Sequence, residues 1–279
     1  MTTNTEEHEP CWGTYKPEGV KWVIRALVKA HLSHGPVKKW LQKIWFSDKQ
    51  QSPVDIDYAG TKFRLHPWDN VVERKIIFGS KCRDCKEINY LSQNLGAQST
   101  FLDIGANIGY YTCSLATAGV GRVIAIEPHP VTLRRLQFNI ASNRFSNVSV
   151  VPVAIGEEEG RLELTTVTGD LGSSSILNKS EQGTHETYTV PVKSLRQLCE
   201  EMDIERIDAL KIDVEGYEDR ALIPYFENTS RELWPKLIAI EHAHDKNWEI
   251  DVLESLKKYG YQGKLSTRSN TVFALDAAP

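Results

Sequence analysis

Five acidic residues occupy positions where they could do chemistry: Asp103, Glu127, Asp213, Glu215 and Glu241. Each lies at or near the end of a stretch (Phe101-Leu102 into Asp103, Arg122–Pro128, Ile207–Gly216 or Lys236–His242) that reads as a buried parallel strand. In open α/β sheets, ligands bind outside the carboxyl ends of the strands, and a random scatter of acids would not favour that one edge. Past Asp103 come Gly105 and Gly109, and a helical pattern follows from Tyr111. Strand, glycine turn and helix in that order make the entrance of a nucleotide-type pocket, where backbone approaches a ligand and a helix start offers free N–H groups. The spacing is Asp-x-Gly-x-x-x-Gly, not Gly-x-Gly-x-x-Gly. A carboxylate at the mouth of the loop would repel a pyrophosphate, whereas it can face the ammonium and sulfonium of S-adenosylmethionine. The stretch therefore favours a methyl donor over NAD.

Glu127 follows Asp103 by about one βαβ step, the interval at which an acid meets a ribose diol. Asp213 and Glu215 are two residues apart, so on a strand they would point to one face. Two carboxylates together can raise one pKa and so present a base for a hydroxyl proton. The same pair could hold a divalent cation with Glu241 as third ligand, or one of them could cap a helix beginning at Gly216. His242 and, less favourably, His244 are alternative bases.

The positioning elements follow from periodicity. A helix over 84–95 precedes the central strand. Arg122–Pro128, Val148–Gly156, Ile207–Gly216 and Lys236–His242 read as further parallel strands, all but the second carrying acids at the end, with helices over 130–143 and 249–259. Leu162–Val167 and Tyr188–Val192 read as an antiparallel pair around a glycine- and serine-rich loop from Gly169, either plain loop or substrate lid. Tyr261–Leu265 and Thr271–Leu275 make a final edge pair. Val54 to Pro67 alternates as a hairpin.

Before the hairpin, Val20, Val23, Ile24, Leu27, Val28 and Leu32 recur at helical spacing with Lys21, Arg25 and Lys29 between them. Gly35-Pro36 interrupts, and the basic, aromatic stretch Lys38–Phe46 follows. The favoured reading is a helical arm whose apolar stripe packs on the domain or on another subunit; the alternative is an arm lying on an anionic membrane.

A net charge of −4 gives no reason to expect a nucleic-acid partner. No run reaches about eighteen apolar residues, and the polar start Met1–Pro10 has no signal-peptide core, so a cytoplasmic enzyme is expected. Five irregularly spread cysteines, with Cys82-Arg-Asp-Cys85 lacking a second ligand pair, read as free reduced thiols, and no metal site is assigned. The divisions expected are a disordered tail over 1–10, a helical arm and β-hairpin over 11–68, and a catalytic domain over 69–279.

Val72-Glu73-Arg74, the run Phe101–Thr112, Val123–Pro128, Phe138-Asn139-Ile140 and Leu210–Gly216 together resemble the FkbM family of S-adenosylmethionine-dependent methyltransferases. The resemblance spans about residues 69–275. It implies a Rossmann-like, seven-stranded class I methyltransferase sheet, and methyl transfer to oxygen, often of a sugar or polyketide hydroxyl. It places Asp103, Gly105, Ala106, Asn107, Gly109 and Tyr110 around the methionine end of the donor, with Asp213 beside them. Glu127 would bond the ribose, and Pro128, Ala154 and Ile155 would border the adenine. Glu87 matches a glutamate ahead of the glycine loop, although Cys-Arg-Asp-Cys-Lys precedes it where Gly-x-Tyr is commoner. Asp213, Glu215 and His242 are the candidate proton acceptors. A divalent cation is an option without positive support, and a small-molecule hydroxyl acceptor is the expected partner. A homo-oligomer and peripheral membrane contact through the arm stay open. So do an N-acceptor, a non-catalytic scaffold and, on a similar sheet, an NAD-dependent oxidoreductase.

Overall fold

The computed structural model describes residues 9–47, 51–79, 84–167, 170–175 and 185–276. The chain divides into two compact units, residues 1–82 and 83–279.

In the first unit, helices α1 (Gly19–Lys29) and α2 (Gly35–Trp45) precede the hairpin of β1 (Val54–Tyr58) and β2 (Thr61–Leu65), and helix α3 (Val71–Phe78) follows. Pro36 sits in the first turn of α2, where its missing N–H costs nothing, so Gly35-Pro36 opens the second helix. Asn70 caps α3 by accepting the N–H groups of Val72 and Glu73. The hairpin is tied to the preceding chain by Asp55, which accepts from Gly13 N and Tyr15 N and pairs with the Arg64 guanidinium at 2.8 and 2.9 Å. Buried Arg25 of α1 donates to the Ile76 and Ile77 carbonyls at the end of α3, where a cation meets the negative end of the helix. The arm's apolar residues split: Ile24, Val28, Leu41 and Trp45 are buried, whereas Val20, Trp22, Val23, Leu32, Val37 and Trp40 are exposed. The expected single packed stripe is thus half of what the helices carry.

The second unit opens with helix α4 (Cys85–Asn94) and then alternates β3 (Thr100–Ile104), α5 (Tyr110–Thr117), β4 (Arg122–Ile126), α6 (Pro130–Asn143) and β5 (Val148–Val151). Short strands follow: β6 (Ala154–Gly156), β7 (Gly160–Val167), β8 (Asp170–Ser175) and β9 (His185–Ser194). Helix α7 (Leu195–Glu201), β10 (Ala209–Ile212), α8 (Glu218–Asn228), β11 (Leu237–Glu241), α9 (Val252–Lys258), β12 (Tyr261–Ser266) and β13 (Asn270–Leu275) complete it. The main sheet has the order β5-β4-β3-β10-β11-β13-β12. β13 is antiparallel to both neighbours, and the remaining pairs are parallel. This is the seven-stranded α/β architecture expected, with the final pair at the edge.

Three expectations shift. The strand anticipated over 148–156 breaks at Pro152, which has no N–H for a ladder. β5 therefore ends in the main sheet, and β6 joins a second sheet of order β6-β9-β7-β8. Residues 170–175 of the anticipated loop form β8, antiparallel to β7, while 176–184 lie outside the described residues. Helix α9 begins at Val252, not 249, because the Asp251 side chain caps it through Glu254 N. The expectation of free thiols also fails in part. Cys85 is disulfide-bonded, Cys11, Cys113 and Cys199 are free, and Cys82 lies outside the described residues.

Candidate functional site

Parallel register builds the site row by row. Ile126, Ile104, Ile212 and Ile240 lie side by side on β4, β3, β10 and β11, all buried. One position further along these strands stand Glu127, Gly105, Asp213 and Glu241, at the carboxyl edge. One position back, Asp103 pairs in register with Lys211. Side chains two apart share a face of a strand, so the Lys211 ammonium rises between two acids. It lies 3.8 Å from Asp103 Oδ1 and 3.4 Å from Asp213 Oδ2, and donates to the Gly105 carbonyl at 3.1 Å. Burial disfavours its charge, but Asp213, Asp103 and Glu241 outweigh burial and hold its pKa above the ordinary lysine value.

The glycine loop is shaped first by packing. Gly105 has φ +74°, and a Cβ there would sit 2.0 Å from the Asp213 carbonyl oxygen, so the ends of β3 and β10 can approach only through glycine. Gly109, at φ +86°, caps α5 against Leu136 of α6. Asp103 is fully buried; its Oδ2 accepts Thr112 N at 3.0 Å and Thr112 Oγ1 at 2.6 Å, which pins the first turn of α5. Burial raises its pKa, opposed by Lys211 and Thr112. Glu127 accepts Asn107 N at 2.7 Å on Oε2, and His129 N at 2.9 Å and Thr132 Oγ1 at 2.8 Å on Oε1. It thereby fastens the loop to the start of α6. A carboxylate offers about four acceptor sites, so Oε2 keeps one. Burial raises the Glu127 pKa as well.

Asp213 and Glu215 do come together, but not as two residues of a strand. β10 ends at Ile212, and Glu215 takes the left-handed conformation at φ +56°, uncommon for a non-glycine residue. Carboxylate oxygens of Asp213, Glu215 and Glu241 lie within 4.8 Å of one another. The three could ligate a cation, and Lys211 already supplies a fixed positive charge beside them. Glu241 is pushed up to about 9, first by burial, then by the charge and hydrogen bond of Asp213 and by Glu215. Glu215 Oε2 is 3.0 Å from His244 Nδ1, whereas His242 Nε2 lies 3.2 Å from Thr271 Oγ1. The two histidines are thus oriented by different partners.

Glu87 is buried in α4 and accepts Thr267 Oγ1 from the β12–β13 turn at 2.7 Å. Ala106, Tyr110 and Ala154 are buried, and Asn107 and Pro128 are partly exposed. Ala154 and Ile155 belong to β6, in the second sheet.

Sequence reasoning gave no role to Lys211 or Glu218. Buried Glu218 accepts Val214 N at 2.9 Å and Gly216 N at 3.4 Å, and on its other oxygen Trp248 Nε1 at 2.7 Å. It thus holds the loop that carries Asp213 and Glu215. A strand lysine flanked by apolar residues, and an acid two residues past Gly216, were the available signals.

Residues 103–262, more than half of the chain, match the family model described as the methyltransferase FkbM domain. Methyltransferase 1 of Beauveria bassiana is 29% identical over 163 residues, covering 52% of this chain and 62% of that protein. The hexuronic acid methyltransferase AglP of Haloferax volcanii is 27% identical over 131 residues, 47% of this chain and 52% of that protein. The chain therefore spans less than two thirds of the length of these relatives. Among solved structures, the precorrin-6y C5,15-methyltransferase of Geobacter metallireducens aligns at 12% identity and TM-score 0.44, covering 70% of this chain and 89% of that one.

Proposed function

Since the chain belongs to the FkbM methyltransferase family, we propose that it moves a methyl group from S-adenosylmethionine to a hydroxyl oxygen of a small molecule, a sugar or a polyketide-type natural product. The observation that carries the reading is Asp213, flanked by Lys211 and Glu241 in the same register row as Gly105. One relative is named for a hexuronic acid, which supports the sugar class.

The donor set fits a cationic methyl donor. The edge carries several carboxylates, and its lysine is already engaged by Asp103, Asp213 and the Gly105 carbonyl. A pyrophosphate would meet net repulsion there, while a sulfonium and an ammonium would not. When bound, the donor supplies an electrophilic methyl on sulfur. Glu127 Oε2 has an acceptor site left for a ribose hydroxyl. Gly105, Ala106, Asn107, Gly109 and Tyr110 would line the methionine end with Asp103 beneath them. Pro128 and Ala154 would border the base, and Glu87 would stand at the β12–β13 side.

Asp213 accepts the acceptor's hydroxyl proton at its carboxylate. Glu241, holding its own proton, donates a hydrogen bond to Asp213 and fixes its orientation. Glu215, tied to His244, and His242, tied to Thr271, are the other candidate acceptors of the proton. A carboxylate acceptor suits a hydroxyl, which must lose its proton as the methyl arrives. Holding that oxygen in line with the methyl supplies much of the rate.

Calorimetric titration with S-adenosylmethionine and its demethylated product, on wild type and Glu127→Ala, tests the donor site. Binding by wild type that weakens at least about tenfold in the variant supports it, as loss of a charge-assisted hydrogen bond implies. No binding to wild type refutes it. A screen of sugar and polyketide alcohols against amines, with and without Mg²⁺, then tests the acceptor, and methylated amines alone would refute the oxygen assignment.

A further inference from the structure

The helical arm carries a surface that the methyl-transfer reading does not use. Residues 19–47 contain six Lys or Arg and no Asp or Glu, in a chain whose net charge is −4. On α1 the buried residues are Ile24, Arg25 and Val28. On the opposite side Trp22, Ala26 and Lys29 recur at helical spacing, all exposed, with Val23 beside them. On α2 the buried residues are Leu41 and Trp45, while Pro36, Trp40 and Lys43 recur on the exposed side with Lys39 beside them. Trp22 is 62% exposed and Trp40 60%.

Each helix therefore has two apolar faces. The inner one already packs within its own unit. The outer one displays a tryptophan to solvent, with Lys29 two turns along on α1 and Lys39 and Lys43 beside Trp40 on α2. The guanidinium of Arg25 is turned inward onto the α3 carbonyls, so the outward charge belongs to lysines, whose long stems can reach past an aromatic ring. A tryptophan with an apolar body and a polar edge is favoured at the headgroup level of a bilayer, and lysines around it are drawn to anionic lipid. An acid-free face of this kind would gain nothing in charge from another copy's α1–α2 face, which carries the same lysines.

We propose that the outward faces of α1 and α2 form an interfacial docking surface for an anionic lipid bilayer, with Trp22 and Trp40 entering the headgroup layer and Lys29, Lys39 and Lys43 meeting lipid charge. No described helix is long and apolar enough to cross a membrane, so the contact is peripheral. The proposal concerns the first unit and stands or falls separately from the methyl-transfer reading.

The test is co-sedimentation of the full chain with vesicles of pure phosphatidylcholine, or of phosphatidylcholine containing about a third phosphatidylserine, at low and high salt. Binding to the anionic vesicles is expected, screened by salt, with a blue shift of tryptophan emission. Each surface lysine is worth about fivefold in partitioning, so Lys39→Ala/Lys43→Ala should bind about twenty-five-fold less. Trp22→Ala and Trp40→Ala should each weaken binding and reduce the blue shift. All four positions are exposed, so these variants are expected to keep the fold, which circular dichroism checks. Absence of anionic selectivity, or folded tryptophan variants that sediment like wild type, would overturn the proposal. So would light scattering that finds a dimer dissociated by those same substitutions, because a second copy would then cover the face.

Discussion

Replacing Glu241 by Gln isolates the proton that organises the acid cluster. The Glu241 carboxyl is pushed up to about 9, by burial first and then by Asp213, from an ordinary value of 4.5. Near neutral pH it keeps a proton in the folded chain that it releases on unfolding. A folded state that binds more protons than the unfolded one loses stability as pH rises, by about 1.4 kcal/mol per pH unit for one proton. The loss runs from about 4.5 to about 9, the reverse of a salt-bridged carboxylate. His129, pushed down to about 4 by burial, gives the opposite slope, but only below its ordinary 6.5. A window from about pH 7 to about pH 8.5 therefore excludes it and predicts a loss of up to about 2 kcal/mol. Glu241 shares a hydrogen bond with Asp213, so the proton belongs in part to the pair, which brings the expected range to about 1–2 kcal/mol. Asp103, Glu127 and Glu218 are also raised by burial, and their slopes are common to wild type and variant. Gln keeps the shape and can donate its amide N–H to Asp213, standing in for the protonated acid. Urea unfolding of both proteins at the two pH values measures the difference. Wild type should lose about 1–2 kcal/mol more than Glu241→Gln across the window, and parallel pH dependences would refute the reasoning.

Under the proposed mechanism Asp213→Asn should lower kcat by about 10²–10⁴-fold while the donor Kd changes far less, since the amide keeps a polar group beside the donor but cannot take the hydroxyl proton; steady-state rates with calorimetry check this, and an unchanged kcat would remove Asp213 from the reacting atoms. His242→Ala should cost far less turnover, because its ring is held by Thr271 Oγ1, and a loss equal to that of Asp213→Asn would transfer the proton to His242. Gly105→Ala must move the Asp213 carbonyl and hold alanine at φ +74°, so chemical denaturation should register a destabilisation of at least about 2 kcal/mol; wild-type stability would mean that β3 and β10 do not meet there. Glu218→Ala strands the N–H groups of Val214 and Gly216 and the Trp248 indole, and should cost about 2–4 kcal/mol in the same assay.

The acids were legible because a parallel sheet repeats one rule: apolar run, then polar residue at the carboxyl edge. Glu127, Asp213 and Glu241 obey it, and register then sets them along one edge, while Asp103 stands one row back inside β3 before Ile104. What stayed hidden depends on contacts across strands or on loop conformation. Lys211 sits inside an apolar strand, where a sequence offers no partner, and its role appears only when β10 pairs with β3 and sets it beside Asp103. Period-two reasoning put Asp213 and Glu215 on one face, yet the backbone leaves the strand between Ile212 and Glu215 and a left-handed turn brings them together instead. In the arm, helical spacing is satisfied both by Ile24 with Val28 and by Trp22 with Ala26, so periodicity alone could not say which face was inside. Lys211 also explains why so many carboxyls tolerate one another. Without its charge between Asp103 and Asp213, only the two Thr112 hydrogen bonds would oppose burial and repulsion at Asp103, and Asp213 would lose a counterion 3.4 Å away. The lysine that a strand pattern treats as an interruption is thus the group that lets the strand-end acids share one edge.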